Sequence, residues 1–169
     1  MSTDQTRLRV LVVDDDQAIR EALSRTLEKL GYEVVLAEDG QVGLDRLRAG
    51  AIHIALVDLQ MPKLSGQELL KAARVIAPDV EVIVVTGHGT VEDAVEAMKD
   101  GAYDFITKPF KRVQLERTIR RAAEKQVLAL QNERPGLRVG ILDCDEHYGN
   151  GTANIIERLN AKNVQHYTF

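Results

Sequence analysis

The chain has 169 residues, of which 44% are apolar and 28% charged, and its formal net charge is −4. A mild acidic excess argues against a general nucleic-acid binder, which would carry a basic face, and no apolar run approaches the roughly 18 residues of a membrane span. Cys144 is the single cysteine, so a disulfide within the chain is excluded and a reducing compartment is favoured. We therefore expect a cytoplasmic protein with no direct contact to nucleic acid or membrane.

Strands and helices are predicted to alternate five times. Apolar, β-branched runs predict strands, while apolar residues at helical spacing, followed by glycine or proline, predict helices. In chain order we predict a strand at 8–13, a helix at 19–30, a strand at 33–37, a helix at 40–48, a strand at 52–57, a helix ending before 78, a strand at 80–85, a helix from 91 that is closed at 101, a strand at 103–107 and a long helix from about 113 to 132.

This alternation predicts the fold class. It favours an α/β, doubly wound, five-stranded parallel sheet with helices on both faces. Right-handed crossovers leave few topologies, and the order 2-1-3-4-5 of flavodoxin-like folds has its switch point between strands one and three. Ligands bind there, outside the carboxyl ends of the strands.

Polar and charged residues follow four of the predicted strands. Asp14 and Asp15 follow strand one, Asp58 follows strand three, Thr86 follows strand four, and Lys108 follows strand five. Crowded carboxylates repel each other unless a cation compensates, and an all-oxygen ligand set suits Mg²⁺. Lys108 and Thr86 could hold a phosphoryl group by charge and hydrogen bonding. A carboxylate can itself accept phosphoryl, and Asp58, alone on the central strand, is the best candidate.

Four motifs in this order resemble the receiver domain of bacterial response regulators. The resemblance covers about residues 7 to 125 and is carried by Val12–Asp16, Leu56–Pro62, Val85–Gly87 and Lys108–Phe110. Two further segments, Thr86–Thr90 and Gly101–Phe105, are similar to receivers of the nitrogen-regulation type.

The resemblance implies a two-component phosphorelay receiver, a signalling domain rather than a conventional enzyme. Asp58 would accept a phosphoryl group from a histidine kinase in a Mg²⁺-dependent reaction. Asp15 and Asp58 would bind the metal directly, Asp14 would assist through water, and the Gln60 backbone carbonyl would be a further ligand.

The family's switch implies roles for three more residues. Thr86 and Lys108 would contact the phosphoryl group, and Phe105 would rotate inward with Thr86. That movement would change the surface of helix four, strand five and helix five, and so control a homodimer or an effector. The resemblance also implies a cis bond between Lys108 and Pro109.

Simpler interpretations of single residues stay open. Asp16 is expected to cap a helix, and Phe105 could be an ordinary core residue. A degenerate receiver that only binds other proteins is a further alternative, although the complete acidic cluster and Lys108 argue against it.

The C-terminal part is a separate problem. Residues 126–136 are predicted to be a helical linker, and residues 137–169 a small βαβ-like extension with strands at 137–142 and 164–169 around a helix at 154–159. Ile141–Thr152 resembles the zinc-binding segment of histone-deacetylase-like amidohydrolases, in which the positions of Asp145 and His147 are zinc ligands. The family usually has a second histidine where this chain has Tyr148.

Only about 30 residues carry this second resemblance, and a catalytic zinc usually needs three protein ligands. So few residues are also too few to fold unaided. We therefore expect an incomplete segment without zinc in this chain, and an effector domain beyond residue 169. A receiver-regulated zinc-dependent deacetylase, of which only a fragment is present, is the alternative.

Overall fold

The computed structural model describes residues 7–87 and 89–134, and the backbone of residues 141–142 and 166–167. Its elements follow the predicted alternation with small shifts at their ends. They are β1 (Arg9–Val13), α1 (Gln17–Lys29), β2 (Glu33–Ala37), α2 (Gly40–Ala49), β3 (Ile54–Val57), α3 (Gly66–Ile76), β4 (Glu81–Thr86), α4 (Val91–Lys99), β5 (Asp104–Thr107), α5 (Arg112–Glu133), β6 (Ile141–Leu142) and β7 (His166–Tyr167).

The main sheet confirms the predicted topology. Its five strands are all parallel and lie in the order β2-β1-β3-β4-β5. Every residue of β3 and of β4 is buried, as expected for central strands that are covered on both faces. β3 is apolar throughout, whereas β4 has a polar side chain at each end, Glu81 and Thr86. The carboxyl ends of β1, β3, β4 and β5 consequently meet at one edge.

Two apolar cores lie on opposite faces of the sheet. Leu27 of α1 and Ile119 of α5 belong to the first core, and Leu44 of α2 and Leu69 of α3 belong to the second. Helices α1, α2, α3 and α5 therefore each contribute an apolar stripe to a doubly wound arrangement, which is the predicted fold class.

Helix α5 packs on the sheet for longer than the sequence suggested. Val127 is fully buried in the first core, and Leu130 packs against that core. The buried side chain of Gln126 donates a hydrogen bond of 2.6 Å to the carbonyl of Asp79. The segment predicted as a linker, 126–136, thus begins inside this packing. No helix in the described part of the chain, α5 included, combines the length and apolar character needed to cross a bilayer.

Helix α4 differs from the other helices in what its apolar face contacts. Val91, Val95 and Met98 lie at helical spacing on one face, but they are 76%, 47% and 47% exposed. Ala97 is the one α4 residue that is buried. An apolar stripe is thus left on the surface, which is a feature that often marks an interaction site.

The predicted extension is described only in part. Residues 141–142 and 166–167 pair in parallel as β6 and β7. Asp145 and His147, and the helix predicted at 154–159, lie outside the described residues.

Strand β3 begins two residues later than predicted, at Ile54. His53 lies directly before it. The backbone N–H of Arg9 donates to His53 Nδ1 at 2.9 Å, so the ring accepts a hydrogen bond there and is neutral. Burial lowers the pKa of His53 below its ordinary value of 6.5, and the nearby Arg9 acts in the same direction.

Acid should therefore weaken the fold through His53. Because the folded state holds this proton less tightly than the unfolded state does, the free energy of unfolding should fall as the pH drops through 6.5. His53→Asn, whose side-chain oxygen can accept the same hydrogen bond, should lose less stability between about pH 7.5 and about pH 5.5. Urea unfolding at both pH values measures this, and equal losses in parent and variant would contradict it.

Candidate functional site

A buried cluster of charges lies at the carboxyl edge of the sheet. Lys108 Nζ donates to Asp14 Oδ2 at 2.5 Å and to Asp58 Oδ2 at 3.1 Å. The side chains of Asp14, Asp58 and Lys108 are only 4%, 10% and 16% exposed. Three strand ends that are far apart in the sequence therefore converge as expected.

The strands fix the two buried carboxylates through their backbone. The N–H of Asp58 donates to the carbonyl of Val13 at 2.9 Å, which continues the β1–β3 ladder. Each carboxylate also accepts a hydrogen bond from the N–H two residues later, Asp16 for Asp14 at 2.9 Å and Gln60 for Asp58 at 3.2 Å. These local bonds orient both side chains at the sheet edge.

Burial and ion pairing act in opposite directions in this cluster. Burial raises the pKa of the Asp14 carboxyl above its ordinary value, although the hydrogen bonds from Lys108 and from the Asp16 N–H oppose this change. Burial would lower the pKa of Lys108, but its hydrogen bonds to Asp14 and Asp58 outweigh that effect and raise it. Lys108 therefore stays protonated at neutral pH and compensates the buried carboxylates.

The donor set fits a hard divalent cation. One carboxylate oxygen each from Asp14, Asp15 and Asp58 lies within 4.8 Å of the other two, and Asp15 is exposed to solvent. Oxygen ligands of this number and charge suit Mg²⁺, which keeps part of its water shell and binds through one or two carboxylates. An exposed carboxylate beside two buried ones also gives the ion a route from solvent.

Thr86 and Phe105 meet beside the cluster. Thr86 is 1% exposed, and its Oγ1 has no hydrogen-bond partner among the described residues. A Cβ placed on Gly89 would lie 2.4 Å from the Phe105 ring and 3.0 Å from the Thr86 methyl group, so the two side chains converge on this glycine. A buried hydroxyl without a partner is costly, which makes Thr86 available to a ligand.

Other sequence predictions near the site are also confirmed. The Lys108–Pro109 peptide bond is cis. Asp16 caps α1, because its side chain accepts hydrogen bonds from the N–H groups of Ala18 and Ile19.

Some residues that shape the site were not identified from the sequence. Arg20 donates a hydrogen bond of 2.7 Å from Nη1 to the carbonyl of Asp14. Its place in the first turn of α1, directly after the acidic loop, was the available signal. Gly66, at the start of α3, lies so close to Asp58 that a Cβ there would be 2.0 Å from the Asp58 carbonyl oxygen.

Comparisons with known proteins agree on one family. Residues 10–120 match the family described as "Response regulator receiver domain". The C4-dicarboxylate transport transcriptional regulatory protein DctD of Rhizobium meliloti is 40% identical over 123 residues, which are 73% of this chain and 27% of that protein. The transcriptional regulatory protein FixJ of Bradyrhizobium diazoefficiens is 38% identical over 128 residues, which are 76% of this chain and 62% of that protein. The match thus covers about a quarter of the length of DctD and less than two thirds of the length of FixJ.

A solved structure extends the similarity to the fold. The beryllofluoride-activated NtrC4 receiver domain dimer has a TM-score of 0.67 and 37% identity, and the match covers 70% of this chain and 98% of that one. The comparisons give no support to the amidohydrolase resemblance of the C-terminal segment.

The close contact at Gly66 leads to a test of how the site is held. Gly66→Ala should lower the free energy of unfolding by about 2 kcal/mol, because the new methyl group would overlap the Asp58 carbonyl and force the backbone to move. Gly87→Ala is the matched control. Its Cβ would meet nothing closer than 3.8 Å, so its stability should change by less than about 0.5 kcal/mol. Urea unfolding compares the two, and equal stabilities would show that the contact is unimportant.

Proposed function

The chain belongs to the response regulator receiver domain family, and on this premise we propose that Asp58 is the residue that a histidine kinase phosphorylates. Receiver domains of two-component systems pair with histidine kinases. The observation that carries the assignment is the position of Asp58, a buried carboxylate at the end of central strand β3 that has Lys108 Nζ 3.1 Å away and two further aspartates around it.

The proposed reaction is a phosphoryl transfer from histidine to aspartate. A carboxylate oxygen of Asp58 forms a bond to phosphorus while the phosphorus–nitrogen bond of the phosphohistidine breaks, and the nitrogen keeps the electron pair. The Lys108 ammonium then compensates the charge of the phosphoryl oxygens, and the Thr86 hydroxyl donates a hydrogen bond to one of them. Positioning and charge compensation provide most of the catalysis in such transfers.

Receiver domains bind Mg²⁺ at an acidic pocket, and we assign that role here to Asp14, Asp15, Asp58 and the backbone carbonyl of Gln60. When bound, the ion supplies positive charge to the transferring phosphoryl group. The close carboxylate oxygens of the three aspartates support the assignment.

Phosphorylation by acetyl phosphate tests the assignment of Asp58. In the presence of Mg²⁺ the parent protein should gain one phosphoryl group by intact-protein mass spectrometry, and Asp58→Asn should gain none, because an amide oxygen is a poor nucleophile. Asp45→Asn, which changes an exposed carboxylate on α2, is the matched control and should label like the parent. Labelling of Asp58→Asn to the parent level would show that another residue is the acceptor.

The switch proposed for Thr86 and Phe105 follows from the same site. A phosphoryl group on Asp58 would attract the Thr86 hydroxyl, and the space that Thr86 leaves would admit the Phe105 ring. Both side chains already converge on Gly89, in the loop that leads from β4 into α4. The movement would therefore change the surface formed by α4, β5 and α5.

We further propose that this surface forms a homodimer or contacts an effector. The exposed stripe of Val91, Val95 and Met98 on α4 supplies the apolar area, and Val113 at the start of α5 is 52% exposed. The NtrC4 receiver was solved as an activated dimer. DctD and FixJ are named as longer transcriptional regulatory proteins, so we place the output in a partner or in a domain outside these residues. A cytoplasmic location, as is typical of response regulators, is part of the proposal.

A dimer that depends on activation can be measured directly. Beryllofluoride with Mg²⁺ should raise the dimer fraction of the parent in analytical ultracentrifugation, and Val95→Asp should prevent that rise, because it places a charge in the α4 stripe. Val75→Asp on α3 is the matched control, since Val75 is 81% exposed but lies outside this surface. A Val95→Asp protein that dimerises like the parent would exclude α4 from the interface.

A further inference from the structure

The loop between β3 and α3 is tied to α2 by an ion pair that the receiver chemistry above does not use. We propose that Lys63 and Asp39 are a positioning pair, which holds residues 59–65 so that the Gln60 carbonyl is placed for Mg²⁺. This inference rests on the proposed metal site, but it concerns a contact that exists without the metal.

Asp39 is a buried carboxylate with two partners. Its side chain is 4% exposed and caps α2 by accepting a hydrogen bond of 2.9 Å from the N–H of Val42. Its other oxygen accepts a hydrogen bond from Lys63 Nζ at 2.5 Å. The Lys63 side chain is 67% exposed, so the pair spans from the helix terminus to the surface of the loop.

The backbone of the loop has a shape that needs support. Lys63 has a φ of 66°, a left-handed conformation that is sterically unfavourable for a residue with a Cβ. The next residue packs its backbone on α2, because a Cβ on Gly40 would lie 2.1 Å from the carbonyl oxygen of Leu64. Lys63 thus reaches Asp39 from a part of the loop that already touches the start of α2.

The rest of the loop is held from its two ends, where Ser65 forms a capping box with Glu68 of α3. The N–H of Gln60 donates to Asp58 Oδ1 at 3.2 Å, and the N–H of Gly66 donates to the carbonyl of Leu59 at 3.0 Å. These contacts lie within the loop and its own flanks. Among the described residues, Lys63 makes the only hydrogen bond from residues 59–65 that reaches beyond Asp58, the loop and α3. This bond therefore limits how far the Gln60 segment can move away from the metal ligands.

A simpler interpretation is that this is an ordinary exposed ion pair with little effect. Lys71 and Asp100 form such a pair, with 3.5 Å between Nζ and Oδ2, on α3 and at the end of α4. The two lysines differ in one important respect, because only Lys63 lies in the loop of Gln60. Lys71→Met is consequently a control that removes the same charge from a similarly exposed site.

Electrostatics and positioning predict opposite effects of removing Lys63 on the affinity for Mg²⁺. Removal of a lysine near an acidic cluster should strengthen Mg²⁺ binding if charge alone acts. Loss of a positioning contact should instead weaken Mg²⁺ binding. We expect the Mg²⁺ dissociation constant of Lys63→Met to rise by about threefold to tenfold, which is no more than the smallest effects usual for residues that orient metal ligands. Lys63→Arg should restore most of the affinity, because a guanidinium can donate to the same carboxylate.

Two measurements on the full chain test the proposal. Amide hydrogen exchange without metal should be faster at residues 59–65 in Lys63→Met than in the parent or in Lys71→Met. Calorimetric titration with MgCl₂ should show a weaker Mg²⁺ affinity in Lys63→Met than in the parent. Asp39→Asn keeps the oxygen that caps α2 but removes the charge that Lys63 contacts. In the Asp39→Asn background, Lys63→Met should therefore cause no further loss of Mg²⁺ affinity.

The outcomes separate this inference from the proposed function. Unchanged exchange in Lys63→Met would overturn the positioning role, whether or not the parent binds Mg²⁺. Faster exchange with unchanged Mg²⁺ affinity would overturn the connection to the metal. Failure of Asp58 to accept a phosphoryl group would overturn the proposed function. The hydrogen-exchange result for residues 59–65 would still test whether Lys63 positions the loop.

Discussion

Burial of two carboxylates beside one ammonium group is the constraint on which the rest of this site depends. Asp14 and Asp58 repel each other, and removing either charge from water is costly. Lys108 contacts both, and it comes from the strand end farthest along the sheet. The arrangement is therefore stable only while β1, β3 and β5 keep their register. The same constraint leaves an acidic excess, since three clustered carboxylates face one lysine, and a divalent cation would offset that excess.

Close backbone contacts also help to fix the geometry of the site. The Gly66 backbone approaches the Asp58 carbonyl, and the Gly40 backbone approaches the Leu64 carbonyl. Each is a place where a neighbouring element is too close for a Cβ. The acidic loops are thus held between helix starts and strand ends that have little freedom to shift, which suits a site whose ligands must meet a small metal ion with defined geometry.

The topology and the converging strand ends could be predicted from the sequence because both depend on short-range patterns. β-branched runs, helix caps and strand-end charges are visible along the chain, and parallel topology then brings those ends together. Contacts between distant segments could not be predicted in this way. Lys63 meets Asp39 across 24 positions, and nothing local distinguishes it from a solvated lysine. The helical spacing of Val91, Val95 and Met98 places them on a common face, but spacing alone does not show whether another element covers that face.

Helix α5 has a further consequence for how a change at this site could be transmitted. Because Val127 is buried and Leu130 packs on the core, the rotational phase of the helix is fixed by the sheet up to its last turn. Each residue turns an α-helix by about 100° and advances it by about 1.5 Å. A segment that continues this helix would therefore inherit both its direction and its angular setting from the sheet. The number of residues after Leu130 would then matter as much as their identity.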